Sequence, residues 1–173
     1  MPIADTPHRV ALIGCGRWGR NIARTLSKLQ ALAIIVDPAV EALSPLAMGL
    51  GVPITSDLNA AFASEITAVA IAAPAADHGQ LIARALEAGK PVFVEKPLAL
   101  TLEEAEAVAG QAQRLGLPLM VGHLLQYHPA FVSLRAAIAE GAIGEVRHVT
   151  SHRLNSGAIR TEENALWSMG PHD

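Results

Sequence analysis

The sequence predicts an α/β fold, a doubly wound parallel sheet with helices on both faces, followed by the start of an α+β open-sheet domain. Three observations carry this. From Val10 to Val121, short apolar runs of strand length alternate with longer stretches of helical periodicity. A glycine loop, Gly14-Cys15-Gly16-Arg17-Trp18-Gly19, joins the first apolar run to the first periodic stretch. The 173 residues are 51% hydrophobic yet include only two Trp, one Tyr and three Phe. The core is therefore built from Ala, Leu, Ile and Val, which suits helices packed on a buried parallel sheet.

Each element has a local reason. Val10–Ile13 is an apolar run stopped by Gly14, the first strand. Residues 18–29 are helical, with Ile22, Leu26 and Leu29 on one face. Leu32–Val36 is a second strand, stopped by Asp37-Pro38, and Val40–Leu50 a helix ended by Gly51. Ile54-Thr55 is a minimal third strand, and Leu58–Phe62 a short helix with Asp57 as its N-cap. Residues 68–72 make a fourth strand ended by Pro74, and residues 77–88 a helix closed by Gly89. Val92–Val94 is a fifth strand. Leu102–Leu115 is helical, with Thr101 and Glu104 spaced as a capping box and Gly116 as its stop. Leu119–Val121 is the sixth strand.

Helices of this length between strands imply right-handed crossovers and a parallel sheet. With the glycine loop, the pattern is that of a Rossmann dinucleotide-binding domain over residues 1–122. After Gly122 the rhythm changes, and residues 123–173 read as the start of a second domain. There, Pro129–Ala139 reads as a helix, Gly141 to Gly144 as a turn, and residues 146–154 as a half-exposed strand alternating apolar and polar residues. Glu162 to Asp173 looks like the approach to a helix, so the chain is expected to be a fragment of a longer protein.

Net charge is −3 with no basic block, which argues against nucleic acid or an anionic membrane as partner. The single cysteine, Cys15, cannot form an internal disulfide, and the N-terminus lacks an apolar signal segment. A reducing cytoplasm is the expected location. Cys15 reads as a small side chain tolerated in a tight turn.

The glycines have separate tasks. Gly14 allows the turn after the first strand, Gly16 lets backbone approach a pyrophosphate, and Gly19 lets the helix pack close to the strand. Asp37 follows Gly19 by 18 positions, where a carboxylate can accept hydrogen bonds from a ribose 2′-hydroxyl and repel a 2′-phosphate. NAD is therefore expected ahead of NADP. Arg17 and Trp18 either cover the cofactor or pack on the helix they begin. Pro74 and His78 follow the fourth strand at the ligand edge; His78 either lines the nicotinamide pocket or faces water at a helix start. Glu95-Lys96-Pro97 leaves the fifth strand at the same edge, bringing a proton-carrying lysine to the cofactor. His148 and His152 face one way on the expected strand but are too few for a metal site, so no metal is expected.

Together these residues resemble the Gfo/Idh/MocA oxidoreductase family. The carriers are the Gly14 loop, Ala73-Pro74 with His78, Glu95-Lys96-Pro97, Val121-Gly122-His123, Tyr127-His128-Pro129, Gly141 to Val146 and Gly170-Pro171-His172-Asp173. The resemblance implies an NAD- or NADP-dependent dehydrogenase acting on a carbinol of a sugar or cyclitol, with a second open-sheet domain and a homo-oligomeric full-length form. Residues 160–173 are similar to the nucleotide-sugar dehydrogenase branch. The resemblance implies Lys96 and His172 as the catalytic pair, Glu95 as a positioning or cofactor-binding residue, and substrate contacts from Arg160, Asn164, Trp167 and His172. It also implies a cis bond before Pro97. Ser168 stands where many relatives carry an aspartate, and Gln126 where many carry arginine. The alternative is a truncated, non-catalytic dinucleotide-binding module.

Overall fold

Residues 8–152 are described by the structure, a computed structural model. Six parallel strands form one sheet: β1 (Val10–Ile13), β2 (Leu32–Val36), β3 (Ile54–Thr55), β4 (Ala68–Ile71), β5 (Val92–Val94) and β6 (Leu119–Val121). Their order is β3-β2-β1-β4-β5-β6, so the chain reverses its direction of travel across the sheet between β1 and β4. The helices are α1 (Gly19–Lys28), α2 (Val40–Leu50), α3 (His78–Glu87), α4 (Leu102–Leu115) and α5 (Pro129–Ala139). Single 3-10 turns lie at Leu58–Phe62, Ala75–Asp77 and Leu124–Tyr127.

The period of two along each strand divides the core into two layers. Leu12, Ile35 and Ala70 point to one face, against Ala23 of α1 and Leu43 and Ala47 of α2. Ala11, Ile13, Val69, Ile71, Val92 and Val94 point to the other, against Leu81, Ile82, Ala85 and Leu86 of α3 and Val108 and Ala112 of α4. This is the doubly wound arrangement. Among the described residues, no helix is long and apolar enough to cross a membrane.

The register levels the strand ends. Ile13 aligns with Val36 and with Ile71, Ile71 with Val94, and Val94 with Val121. The next residue of each strand continues the ladder: Gly14 N–H donates to Val36 O, Asp37 N–H to Thr55 O, Ala72 N–H to Ile13 O, Glu95 N–H to Ile71 O and Gly122 N–H to Val94 O. These five residues therefore share one edge.

The chain divides into two compact units, Met1–Gly122 and His123–Asp173. In the second, His128 caps α5 by accepting from Ala130 N–H. The expected strand over residues 146–154 is not formed over its described part: Val146 to His152 pairs with no strand. The alternation is present, but a strand needs a ladder partner, and none of the described residues supplies one. The other differences are at element ends. β4 stops at Ile71, α1 runs from Gly19, and a 3-10 turn over Ala75–Asp77 precedes α3.

Candidate functional site

The site lies at the shared carboxyl edge of the sheet, and the glycine loop shapes it first. Gly14 sits at φ +83°, and a Cβ there would lie 2.6 Å from Ala73 N and 2.7 Å from the Ala72 carbonyl. Only glycine lets the loop press this closely on the end of β4. A Cβ on Gly19 would strike the Gly14 carbonyl oxygen, so α1 begins hard against the loop. Gly16 differs: nothing lies within 4 Å of the place its Cβ would occupy. Its backbone faces open space ahead of the α1 N-terminus, where amide groups and the helix dipole favour an anion.

Asp37, at the end of β2, is tied to this loop. Its Oδ2 accepts from Cys15 N–H at 2.7 Å, and its Oδ1 accepts from Ala39 N–H at 2.8 Å. The carboxylate is thereby fixed, and each oxygen keeps a lone pair for a further donor. Cys15 is fully buried beneath it. Burial pushes the Cys15 thiol above its ordinary value of 9.0, and the Asp37 charge adds to the rise, against weaker pulls from Arg20 and Arg24. The thiol stays protonated, as a small structural side chain in a turn should.

Between the ends of β1, β2 and β4 opens a cavity of about 670 Å³. Gly14, Gly16, Asp37, Ala73 and Pro74 line it. Its volume falls in the range of small-molecule and cofactor sites. The open space at Gly16, the glycine-only approach at Gly14 and the fixed Asp37 carboxylate fit a dinucleotide. Ser56, Asp77 and Gln80 also line the cavity. They were missed because no motif marks them. Their signal was positional, since Ser56 follows β3 and Asp77 and Gln80 lie at the start of α3, all at the same edge.

The exit of β5 is joined to the glycine loop. Trp18 Nε1–H donates to Glu95 Oε1 at 2.7 Å. Because β4 lies between β1 and β5, this bond passes over the carboxyl end of β4. The Glu95 carboxylate also rests on Gly122, where a Cβ would come within 3.0 Å of it. Lys96 is the next residue, half-buried, and the Lys96–Pro97 bond is cis, as expected. Trp18 is 46% exposed, and Arg17 is exposed on the loop; neither lines the cavity.

His78 corrects both readings of the sequence. It does not line this cavity and does not face water, being 1% exposed. Its Nδ1 lies 2.7 Å from Pro97 O and its Nε2 3.0 Å from Ala73 O, so neither nitrogen is left for a cofactor. The sequence placed it correctly at a helix start, but the packing of the Pro97 segment over α3 turned it inward. Of the remaining expected residues, Arg160, Asn164, Trp167 and His172 lie outside the described residues.

Residues 8–123 match the family model of an oxidoreductase family with an NAD-binding Rossmann fold. UDP-N-acetylglucosamine 3-dehydrogenase of Acidithiobacillus ferrooxidans is 34% identical over 146 residues, 84% of this chain and 45% of that protein. Inositol 2-dehydrogenase of Rhizobium meliloti is 37% identical over 147 residues, 82% of this chain and 44% of that protein. A structure of scyllo-inositol dehydrogenase from Lactobacillus casei, with bound cofactor NAD(H) and scyllo-inositol, superposes with a TM-score of 0.76 at 27% identity. It is matched over 81% of this chain and 43% of that one. The chain thus spans a little under half the length of these relatives.

Proposed function

This chain belongs to the Gfo/Idh/MocA family of oxidoreductases, and from that premise we propose that it binds NAD and serves a dehydrogenase acting on a secondary alcohol of a sugar or cyclitol. The observation that carries the reading is the shared edge. The cavity with its fixed Asp37 carboxylate and the lysine leaving β5 stand at the ends of strands held in one register.

The chemistry divides simply. Oxidising a carbinol removes a hydride from carbon and a proton from oxygen. Bound NAD supplies the hydride acceptor. Asp37 holds the adenosine ribose by its hydroxyls and disfavours a 2′-phosphate. The backbone at Gly16 and the α1 N-terminus hold the pyrophosphate. Lys96 accepts the hydroxyl proton as a general base, and in the reverse direction returns it. His172 is the proposed relay for that proton, with Arg160, Asn164 and Trp167 on the substrate side. A nucleotide-linked sugar is the finer proposal, suggested by the residues from Arg160 onward.

The test has three readouts. NADH should bind at least about ten-fold more tightly than NADPH, a difference of roughly 1.4 kcal/mol, and Asp37→Ala should erase that preference. Turnover assayed with UDP-N-acetylglucosamine and with inositol separates the two substrate classes. Lys96→Ala should lower kcat by roughly 100-fold or more while NADH affinity changes by no more than about two-fold. Failure to bind either nucleotide sinks the cofactor reading. NADH binding without turnover on any sugar or cyclitol favours a non-catalytic binding module.

A further inference from the structure

His78 opens α3 and is 1% exposed, yet it contacts two backbone oxygens rather than the core alone. Both atoms can only accept: Pro97 O lies 2.7 Å from Nδ1 and Ala73 O 3.0 Å from Nε2. Whichever nitrogen carries hydrogen is therefore the donor. Pro97 is the residue after Lys96, and Ala73 lines the dinucleotide cavity. The ring thus joins the chain leaving β5 to the chain leaving β4, across neighbouring strands. An apolar side chain would fill the same volume but would make neither contact and would leave the bonded carbonyl without this donor. Burying a polar ring here is costly unless its bonds are made.

We propose that His78 is a positioning residue that holds the Pro97 carbonyl against the Ala73 peptide and so sets where Lys96 enters the crevice. The inference rests on the reading of Lys96 as the proton carrier only for its effect on turnover. Its geometric content stands without that reading.

The test uses the two amide side chains. Asparagine is too short to reach Ala73 but places its amide nitrogen near the histidine Nδ1 position; glutamine places its nitrogen near Nε2. His78→Asn therefore keeps a donor at Pro97 O, His78→Gln keeps a donor at Ala73 O, and His78→Leu keeps neither. The chain has only three lysines, Lys28, Lys90 and Lys96. After reductive ¹³C-methylation their methyl resonances can be resolved, with Lys96 assigned by Lys96→Arg. The Lys96 resonance should move in His78→Leu and His78→Gln and return in His78→Asn, with Lys28 unmoved. In the turnover assay, kcat should fall roughly ten-fold or more in the Leu and Gln variants, recover in the Asn variant, and leave NADH affinity within about two-fold.

An unmoved Lys96 resonance in a folded Leu variant overturns the proposal. So does equal behaviour of the Asn and Gln variants, which would reduce His78 to packing. Should the Leu variant not fold, the Asn and Gln pair decides alone. The two readings fail separately. If Lys96→Ala leaves turnover intact, the catalytic role of Lys96 falls while the resonance shift still supports positioning. If Lys96→Ala abolishes turnover but the resonance ignores His78, only the positioning role falls.

Discussion

Gly14 and Gly16 stand two residues apart and should respond oppositely to a methyl group. Gly14→Ala puts a side chain at φ +83° and drives it into backbone of the β4 exit, so unfolding free energy should drop by about 3 kcal/mol or more. Gly16→Ala meets nothing within 4 Å; urea unfolding should shift by less than about 0.5 kcal/mol, while NADH affinity falls because the methyl occupies the phosphate approach. Equal stability losses at the two sites would refute this division of labour. Cys15 gives a pH test. Its folded value lies above its ordinary 9.0, so the folded protein holds this proton more tightly than the unfolded chain. Its contribution is complete below pH 9.0 and is lost as pH rises through the folded value. Cys15→Ala should remove that part of the alkaline loss, measured as unfolding midpoints from neutral to alkaline pH.

At the scale of elements, burial outweighs capping. Ile82 on α3 is fully buried against the sheet, and Ile82→Ala should cost about 2–5 kcal/mol through lost transfer energy and a residual cavity. Thr101 caps α4 by accepting from Glu104 N–H at 3.2 Å at the surface, and Thr101→Ala should cost only about 1 kcal/mol. Paired denaturation curves check the ratio, and a larger loss at Thr101 would mean α4 depends on its own propensity more than on the sheet. Helix positions were legible because a stripe of apolar residues and a glycine stop leave a clear trace. The strand expected over residues 146–154 was not formed in its described part, because alternation records only that one face is drier than the other. It does not record whether a partner strand exists.

At the scale of the molecule, both hydrophobic clusters, among the described residues, draw their members from residues 10–121. A chain of residues 1–122 should therefore unfold cooperatively with a urea midpoint close to that of the same unit in the longer chain, and should keep its NADH affinity. A molten 1–122 chain, without a cooperative transition, would show that the sheet depends on residues beyond Gly122.

The sequence by itself determined the winding of the fold, since strand and helix periods and the glycine loop are local properties written in residue spacing. It also determined which residues lie just past each strand: Gly14, Asp37, Pro74 and Glu95-Lys96-Pro97 were all legible as edge residues. Tertiary structure alone decided what those residues touch. The hold of Asp37 on Cys15, the Trp18–Glu95 bond over β4 and the inward turn of His78 span 22, 77 and 19 positions of chain. Side-chain direction at such separations depends on strand register and on which loop packs over which helix. Periodicity carries neither, and the glycine loop and Glu95-Lys96-Pro97 came to share one edge only when the sheet set their ends level.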